Sequence, residues 1–377
     1  MADKYRVGVI GCGGMAKNHV RGYLNCGRFS VVALADLNEV AMAGYDAEFG
    51  FQTTHYADAR EMLAKEGLDV VSVGVWHGGH ARWTIAAAAA KPKAILCEKP
   101  MADTVGNAEQ MLVACRRNGV KLAIGHQRRF LPAYTLAKDL IAQGAIGQVQ
   151  LMQSFGSQGL PNYCSHQTDM FRYILSDDEC EWAMGNIERK TDRWERSTRI
   201  EDSAIAVYQF KGGARAIIFC EVTPMVYQGA QVFGTEGLID FDTNQLRLLN
   251  ASTGGEWKTF RPDGRFFKLD DERRFEWVEG GAGQANELAD WIEGQVEHRG
   301  RGENGFKALE MIHAVYESAR MHEKVILPMQ TRVNPLDVMV ESGHLAPQRL
   351  GRHDIRAFLL RGERMLSDAV NDEGEPV

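Results

Sequence analysis

The residues of this chain with evident chemical potential fall into four short runs. The first, Gly11-Cys12-Gly13-Gly14-Met15-Ala16, fits G-x-G-x-x-G/A and leads into an alanine-to-leucine helical stretch. Gly11 permits a tight turn, Gly13 lets backbone approach an anion without a Cβ in the way, and Ala16 keeps the helix close to the preceding strand. The helix N-terminus then offers free N–H groups to a pyrophosphate. Asp36 stands 25 residues after Gly11, at the end of the apolar run Val31 to Ala35. A carboxylate there can accept both hydroxyls of a ribose. A Gly-rich turn alone is a weak sign, but strand, turn, helix and acid in this order point to a dinucleotide. The other runs are Val75-Trp76-His77-Gly78-Gly79-His80, Glu98-Lys99-Pro100 and His126-Gln127-Arg128-Arg129-Phe130. Each has a plain structural use as well. Lys99 can pair with Glu98, while the peptide before Pro100, extended or cis, aims it out of a sheet edge. Arg128 and Arg129 suit substrate oxygens or a neighbouring carboxylate. His77 and His80, with Cys164-x-His166 and Asp169, raise the question of zinc, but these are not the spacings of a closed zinc site. No metal is expected.

The elements that must position these runs alternate at first. Tyr5–Ile10, Val31–Ala35, Leu68–Val75, Lys93–Cys97 and Lys121–Gly125 read as short buried parallel strands. Helices are expected between them at Glu39–Glu48, Asp58–Glu66, Ala81–Ala90 and Ala108–Asn118. Five βα units in this order make a doubly wound α/β sheet, the Rossmann arrangement, whose ligands lie outside the carboxyl ends of the strands. The last three runs all sit there, with the glycine turn, around one cleft. From Gly147 the pattern changes to consecutive strands at Val149–Phe155, Ala204–Phe210, Ala214–Glu221, Gln231–Gly234, Leu238–Asp242 and Gln245–Asn250, separated by glycine turns. This predicts an α+β domain with a large open, mostly antiparallel sheet. Helices at Gln284–His298 and Phe306–Lys324 return the chain. The expected division is 1–125 for the dinucleotide domain and 126–329 for the second domain, whose last helix, about 303–324, can pack back on the first. Residues 330–377 form a C-terminal extension with possible short helices at Pro335–Glu341 and Asp354–Asp368.

Composition bounds the partners. A chain of 377 residues, 45% hydrophobic and 25% charged, is ordinary for a globular protein with two cores. A net charge of −7 argues against nucleic acid or an anionic membrane as partner. No apolar run approaches the ~18 residues of a membrane span. Seven cysteines without a regular framework suit a reducing compartment, and with the first strand at Tyr5 no leader is expected, so a cytoplasmic location follows.

The glycine turn, Asp36, Glu98-Lys99-Pro100 after KAILC, GHQRRF, Ser165-His166-Gln167-Thr168-Asp169 and the helix ALEMIHAVYESARMHEKVILP recur together in one arrangement. Over about residues 5–328 the chain resembles the glucose–fructose oxidoreductase/inositol dehydrogenase (Gfo/Idh/MocA) family. The resemblance implies an NAD(P)-dependent enzyme acting on sugars, cyclic polyols or their nucleotide-linked forms. Lys99 matches the lysine that sits between nicotinamide and substrate hydroxyl, and His166 and Asp169 match the histidine and aspartate of the second domain. Two departures stand out. Asn162 replaces an acidic residue four positions before the histidine, and Val75-Trp76-His77 replaces Thr-Pro-Asn. The proton transfer therefore falls to Lys99 and His166.

The leading expectation is an NAD-dependent oxidoreductase acting on a hydroxyl of a sugar, glycoside or cyclic polyol. NAD is favoured over NADP because Asp36 repels a 2′-phosphate and Leu37-Asn38 supplies no arginine. Cofactor contacts are expected from Gly11, Cys12, Gly13, Gly14, Met15, Ala16, Asp36, Trp76, His77, His80, Glu98 and Lys99. Substrate contacts are expected from Lys99, Gln127, Arg128, Arg129, Asn162, His166 and Asp169. A second reading is an NAD-dependent glycoside hydrolase working by transient oxidation, elimination, water addition and re-reduction. A third is a non-catalytic sensor, against which Lys99 and His166 weigh. The arginine-rich cluster Arg128, Arg129, Lys190, Arg193, Arg196 and Arg199 leaves an anionic sugar open. The strands AIAVYQF and AIIFCE carry apolar residues on both faces, and the extension has the apolar stretches PLDVMV and AFLL. Both features predict a homo-oligomer, dimer or tetramer, with the extension at the interface.

Overall fold

The computed structural model describes residues 4–269 and 275–350. Its first part is a six-stranded parallel sheet of order β3-β2-β1-β4-β5-β6. The strands are β1 (Tyr5–Ile10), β2 (Phe29–Ala35), β3 (Thr54–Tyr56), β4 (Val70–Val73), β5 (Ala94–Cys97) and β6 (Lys121–Ile124). Helices α1 (Gly14–Cys26), α2 (Glu39–Phe49), α3 (Ala59–Lys65), α4 (His80–Ala89) and α5 (Val105–Asn118) connect them. The strand order reverses between β1 and β4, and the crevice outside their carboxyl ends is the switch point where such sheets bind ligands. Strand β3 was not predicted. Its three residues, Thr-His-Tyr, have no apolar run to announce a strand at the sheet edge.

The second part follows α6 (Pro132–Ala142) and is built on β7 (Val149–Gly156), α7 (Ser165–Ile174) and β8 (Cys180–Glu188). Three two-residue strands come next, β9 (Thr191–Asp192), β10 (Trp194–Glu195) and β11 (Thr198–Arg199). Strands β12 (Ser203–Phe210), β13 (Arg215–Cys220), β14 (Ala230–Gly234), β15 (Gly237–Phe241), β16 (Leu246–Asn250) and β17 (Lys258–Phe260) complete the run. After α8 (Phe275–Ile292) and α9 (Gly302–Met321), β18 (Val325–Ile326) closes the edge beside β8. The nine-stranded order is β17-β16-β15-β14-β7-β13-β12-β8-β18, antiparallel except for the β7–β13 pair. Strand β8 escaped prediction because its sequence, CEWAMGNIE, interrupts the apolar positions with glutamate, glycine and asparagine.

Both long helices tie the two parts together. Helix α8 begins at Phe275, ahead of the expected Gln284, and its early glycines are used for close approach. A Cβ at Gly280 would meet the Gln127 carbonyl oxygen at 2.8 Å, and one at Gly22 of α1 would meet the Gly281 carbonyl oxygen at 2.5 Å. Ala285, Leu288 and Ala289 of α8 then join Val20 and Tyr23 of α1 in one buried cluster. The helix stops at Ile292, short of His298, and the chain turns at Gly294 with φ 76°. Helix α9 lies on β8 and reaches β6 and α5. Helix α10 (Pro335–Glu341) forms where expected, capped by the Asn334 side chain. Its Leu336 and Met339 are buried in the same core as α9 residues, so the PLDVMV stretch packs on its own chain rather than awaiting a partner. Strand β19 (Arg349–Leu350) pairs with β9. The predicted helix Asp354–Asp368 and the AFLL stretch lie outside the described residues.

Candidate functional site

The glycine turn has the geometry its residue types require. Gly11 has φ 89°, and a Cβ there would come within 2.8 Å of the Val75 nitrogen. Gly13 starts α1 with no side-chain cap, leaving its first N–H groups to an anion. A Cβ on Gly13 or Gly14 would meet nothing within 4 Å, so the space above the helix start is open. Ala16 is fully buried against Gly74, where a Cβ would come within 2.5 Å of that of Ala16. Met15 is half-buried beside the turn. The Asp36 carboxylate is fixed by the N–H groups of Cys12 (2.6 Å) and Asn38 (2.8 Å), which hold it at the mouth of the turn. Burial pushes the Cys12 thiol well up, so it stays protonated. These residues fit a dinucleotide: an open cradle of backbone donors with a carboxylate set beside it.

Lys99 leaves the end of β5 through a cis Lys99–Pro100 peptide. Glu98 is buried and does not pair with the Lys99 ammonium. Its carboxylate lies 3.0 Å from His19 Nε2 and accepts the Lys99 backbone N–H at 3.0 Å. Burial pushes the Glu98 carboxyl up, but His19 and Lys99 outweigh this and leave it below the usual value. The Lys99 ammonium instead donates to the Asn162 carbonyl oxygen and to Asn162 Oδ1, both at 3.1 Å. Burial is the main reason its pKa falls to about 8; Glu98 pulls the other way, and Arg196 and Arg128 assist the fall. Asn162 therefore holds the amine without adding a charge of its own.

His166 lies in the first turn of α7, a helix buried along its whole length. Its ring is edge-on to His126 (6.1 Å) and Tyr163 (6.4 Å), and Nδ1 has no hydrogen-bond partner among the described residues. Burial, then the charges of Arg128 and Lys99, push its pKa well down, so the ring is neutral. His77 repeats this across the site: buried, Nδ1 unpartnered among the described residues, and lowered by burial with His80, Lys99 and Arg196 nearby. Trp76 sits half-buried at the rim.

Several expected ligand contacts are engaged elsewhere. Arg129 is fully buried, with Nε and Nη2 on Asp169 (2.7 and 2.8 Å) and Nη1 on Asp177 (2.8 Å). Arg129 and Asp169 thus join the two parts of the chain and have no free face for substrate. His80 is completely buried and spans the carbonyls of Pro100 (2.7 Å) and Val75 (3.0 Å), supporting the Lys99 turn from behind rather than facing a cofactor. Gln127 (3.2 Å) and Arg128 (2.7 Å) both donate to Glu276, and Arg128 stacks over the Tyr163 ring at 5.0 Å. Two groups that had no individual role in the sequence reading stand in the site: Tyr163, whose hydroxyl lacks a partner among the described residues, and Arg196, 3.0 Å from Asn162 Oδ1.

Comparison with known proteins finds one family across both parts of the chain. Residues 5–126 match the model of the oxidoreductase family with an NAD-binding Rossmann fold, and residues 150–327 match that family's C-terminal alpha/beta domain. A D-apiose dehydrogenase of Paraburkholderia graminis is 25% identical over 366 residues, 90% of this chain and 94% of that one. An inositol 2-dehydrogenase of Klebsiella pneumoniae is 29% identical over 229 residues, 55% of this chain and 64% of its own length. A levoglucosan dehydrogenase solved with NADH and levoglucosan shares the fold, with TM-score 0.77 at 22% identity over 87% of this chain and all of that one. A dinucleotide cradle on the first sheet, a lysine at its edge and the matched second domain make the chain a member of the Gfo/Idh/MocA oxidoreductase family.

Proposed function

We propose that this chain is an NAD-dependent dehydrogenase that oxidises a ring hydroxyl of a neutral sugar, glycoside or cyclic polyol. The observation that carries the reading is Lys99 just past the carboxyl end of β5, with a pKa of about 8 and its amine held only by oxygens of Asn162 among the described residues. Bound nicotinamide supplies the hydride acceptor. The chain's own part is proton transfer and placement. Free Lys99 amine accepts the hydroxyl proton as the ketone forms, and the ammonium returns it in the reverse direction. His166, neutral and with Nδ1 unpartnered, offers the same oxygen a hydrogen bond. Asn162 fixes the amine's direction without adding the negative charge that would raise its pKa. Asp36 favours NAD by accepting the adenosine ribose hydroxyls and repelling a 2′-phosphate.

The arrangement of charge supports a neutral substrate over an anionic sugar. Arg128 pairs with Glu276, Arg129 with Asp169 and Asp177, and Arg193 with Glu221. Arg196 pairs with Glu195, Arg199 with Asp337 and Glu341, and Lys190 with Glu188. An anion bound at these side chains would have to displace one of these carboxylates. D-Apiose, inositol and levoglucosan, named by three of the relatives, are neutral hydroxyl compounds, while two other solved neighbours hold L-tartaric acid and UDP-GlcNAcA.

Assembly through the outer face of the second sheet is part of the proposal. Met184, Val207 and Ile217 lie in register across β8, β12 and β13, next to Ile205 and Phe219, and Phe219 stacks on Phe155 at 5.2 Å. Met184 and Ile205 remain more than two-fifths exposed, so the stripe is uncovered in one copy. A second copy covering it makes the enzyme a dimer or tetramer. Seven free cysteines favour a reducing, cytoplasmic setting. The function is tested by incubating the protein with NAD and a panel of neutral aldoses, anhydrosugars and inositols and following NADH. Turnover that disappears in Lys99→Met while NAD still binds supports it, and no turnover on any member of the panel counts against it.

A further inference from the structure

The segment beyond the matched family domains grips a hairpin that enters the site. Strands β10 and β11 pair with Glu195 opposite Thr198, so Arg196 and Ser197 form a two-residue turn. Both residues have positive φ, 47° and 66°, in a conformation that glycine or asparagine adopts far more readily. Non-glycine residues persist in such a turn when the surroundings fix it and their side chains are used. Arg196 Nη1 donates to Asn162 Oδ1 at 3.0 Å and pairs with Glu195 at 2.8 Å. The same Asn162 oxygen accepts from Lys99. At the tip, Ser197 Oγ lies 3.4 Å from where a Cβ of Gly78 would be, so the hairpin reaches the turn that carries His77.

The C-terminal extension holds the hairpin, and the adjoining β9, from outside. Arg199 Nη1 donates to Asp337 (2.8 Å) and Glu341 (3.2 Å) on α10, while its guanidinium covers the Trp194 ring at 4.8 Å. Strand β19 runs alongside β9, and the Gln348 N–H donates to the Lys190 carbonyl at 2.8 Å. Helix α10 is a firm anchor because Leu336 and Met339 are buried in the main core. The family's C-terminal domain match ends at residue 327, before α10 and β19.

We infer that the extension is part of the active-site construction: α10 and β19 clamp the β10–β11 hairpin so that Arg196 sets Asn162, and through it the Lys99 amine. Arg196 is then a positioning residue, and Arg199, Asp337 and Glu341 are the clamp. The inference rests on the reading of Lys99 as the proton-exchanging group, so the test has one arm that does not depend on turnover. Asp337→Asn/Glu341→Arg removes the α10 half of the clamp and sets Arg199 against a like charge, at side chains of α10 that face solvent at least in part, while the β19–β9 pairing stays. Amide hydrogen exchange of residues 157–163 and 194–199 should quicken in this variant, and kcat/KM should fall about tenfold, mostly through kcat. Adding Arg199→Glu reverses the pair, and should return both readouts to within about threefold of wild type. Unchanged exchange in those segments overturns the inference, as does a quickened exchange that leaves kcat/KM intact or a reversal that restores neither. If the wild type turns over no polyol, the functional reading falls, and exchange at 157–163 alone decides whether the clamp acts on the Asn162 loop.

Discussion

Replacing Lys99 with arginine keeps a cation at the end of β5 but removes a base that works near neutral pH. Burial takes the Lys99 ammonium from its ordinary value of 10.5 to about 8. At pH 7 roughly one amine in ten is then free, against about one in three thousand for an unperturbed lysine, a gain of about 300-fold in available base. The sign follows from the direction of chemistry. Oxidation needs the free amine, so kcat/KM should climb about tenfold per pH unit below pH 8 and flatten above it. Reduction of the ketone needs the ammonium and should fall above pH 8. Lys99→Arg stays protonated throughout, because guanidinium titrates above ~12. It should lose about 10²–10⁴-fold in kcat, the usual contribution of a positioned acid/base, with NAD affinity little changed. Steady-state kinetics from pH 6 to 9 with parallel NAD titration measures both. Activity of Lys99→Arg within about fivefold of wild type, or a profile without a break near 8, would refute the assignment of the proton to Lys99.

The remaining expectations concern cofactor choice, packing and assembly. Asp36→Ser with Leu37→Arg should shift preference toward NADP, since it removes the repelling carboxylate and adds a cation; tighter NADP than NAD binding by the wild type would show that Asp36 was misread. Gly22→Ala should cost about 1–3 kcal/mol in chemical denaturation, because its Cβ would sit 2.5 Å from the Gly281 carbonyl oxygen and force α1 and α8 apart. A loss below about 0.5 kcal/mol would mean the helices separate freely. Light scattering should find the wild type at least dimeric, and Ile205→Lys, on the uncovered sheet stripe, should dissociate it. A wild-type monomer at micromolar concentration contradicts the proposed assembly.

The parts of this site that were legible in the sequence are those whose function is set within a few residues. Gly11, Gly13 and Ala16 are demanded by one turn, and Asp36 is placed by the strand that it ends. Lys99 and His166 came through motif resemblance, and in the structure both are buried, with the Lys99 charge bearing on the His166 ring. What was hidden depends on partners far along the chain. Arg129 and Asp169, 40 residues apart, satisfy each other, and nothing local distinguishes that pair from two substrate ligands. Asn162 reads as a weakened acid until it is seen 3.1 Å from the Lys99 amine, 63 residues away. Arg196 lies in TDRWERSTR, a polar run without strand alternation whose turn carries no glycine to mark it. The first half of α8, before Gln284, was hidden by the glycines at 280, 281 and 283, which lower helix propensity; those at 280 and 281 are what allow its approach to Gln127 and α1.

The central claim is that the chain removes a hydride from a carbinol carbon and keeps it on the nicotinamide. The most direct test is transfer of deuterium from that carbon, using a neutral polyol or sugar turned over by the wild type and labelled at the oxidised position. One deuterium on the nicotinamide of each NADH formed, with one ketone product per NADH, is the expected result. Product that forms with NAD in catalytic amount, with no accumulated NADH and a cleaved glycosidic bond, would contradict it and identify a redox-assisted hydrolase instead.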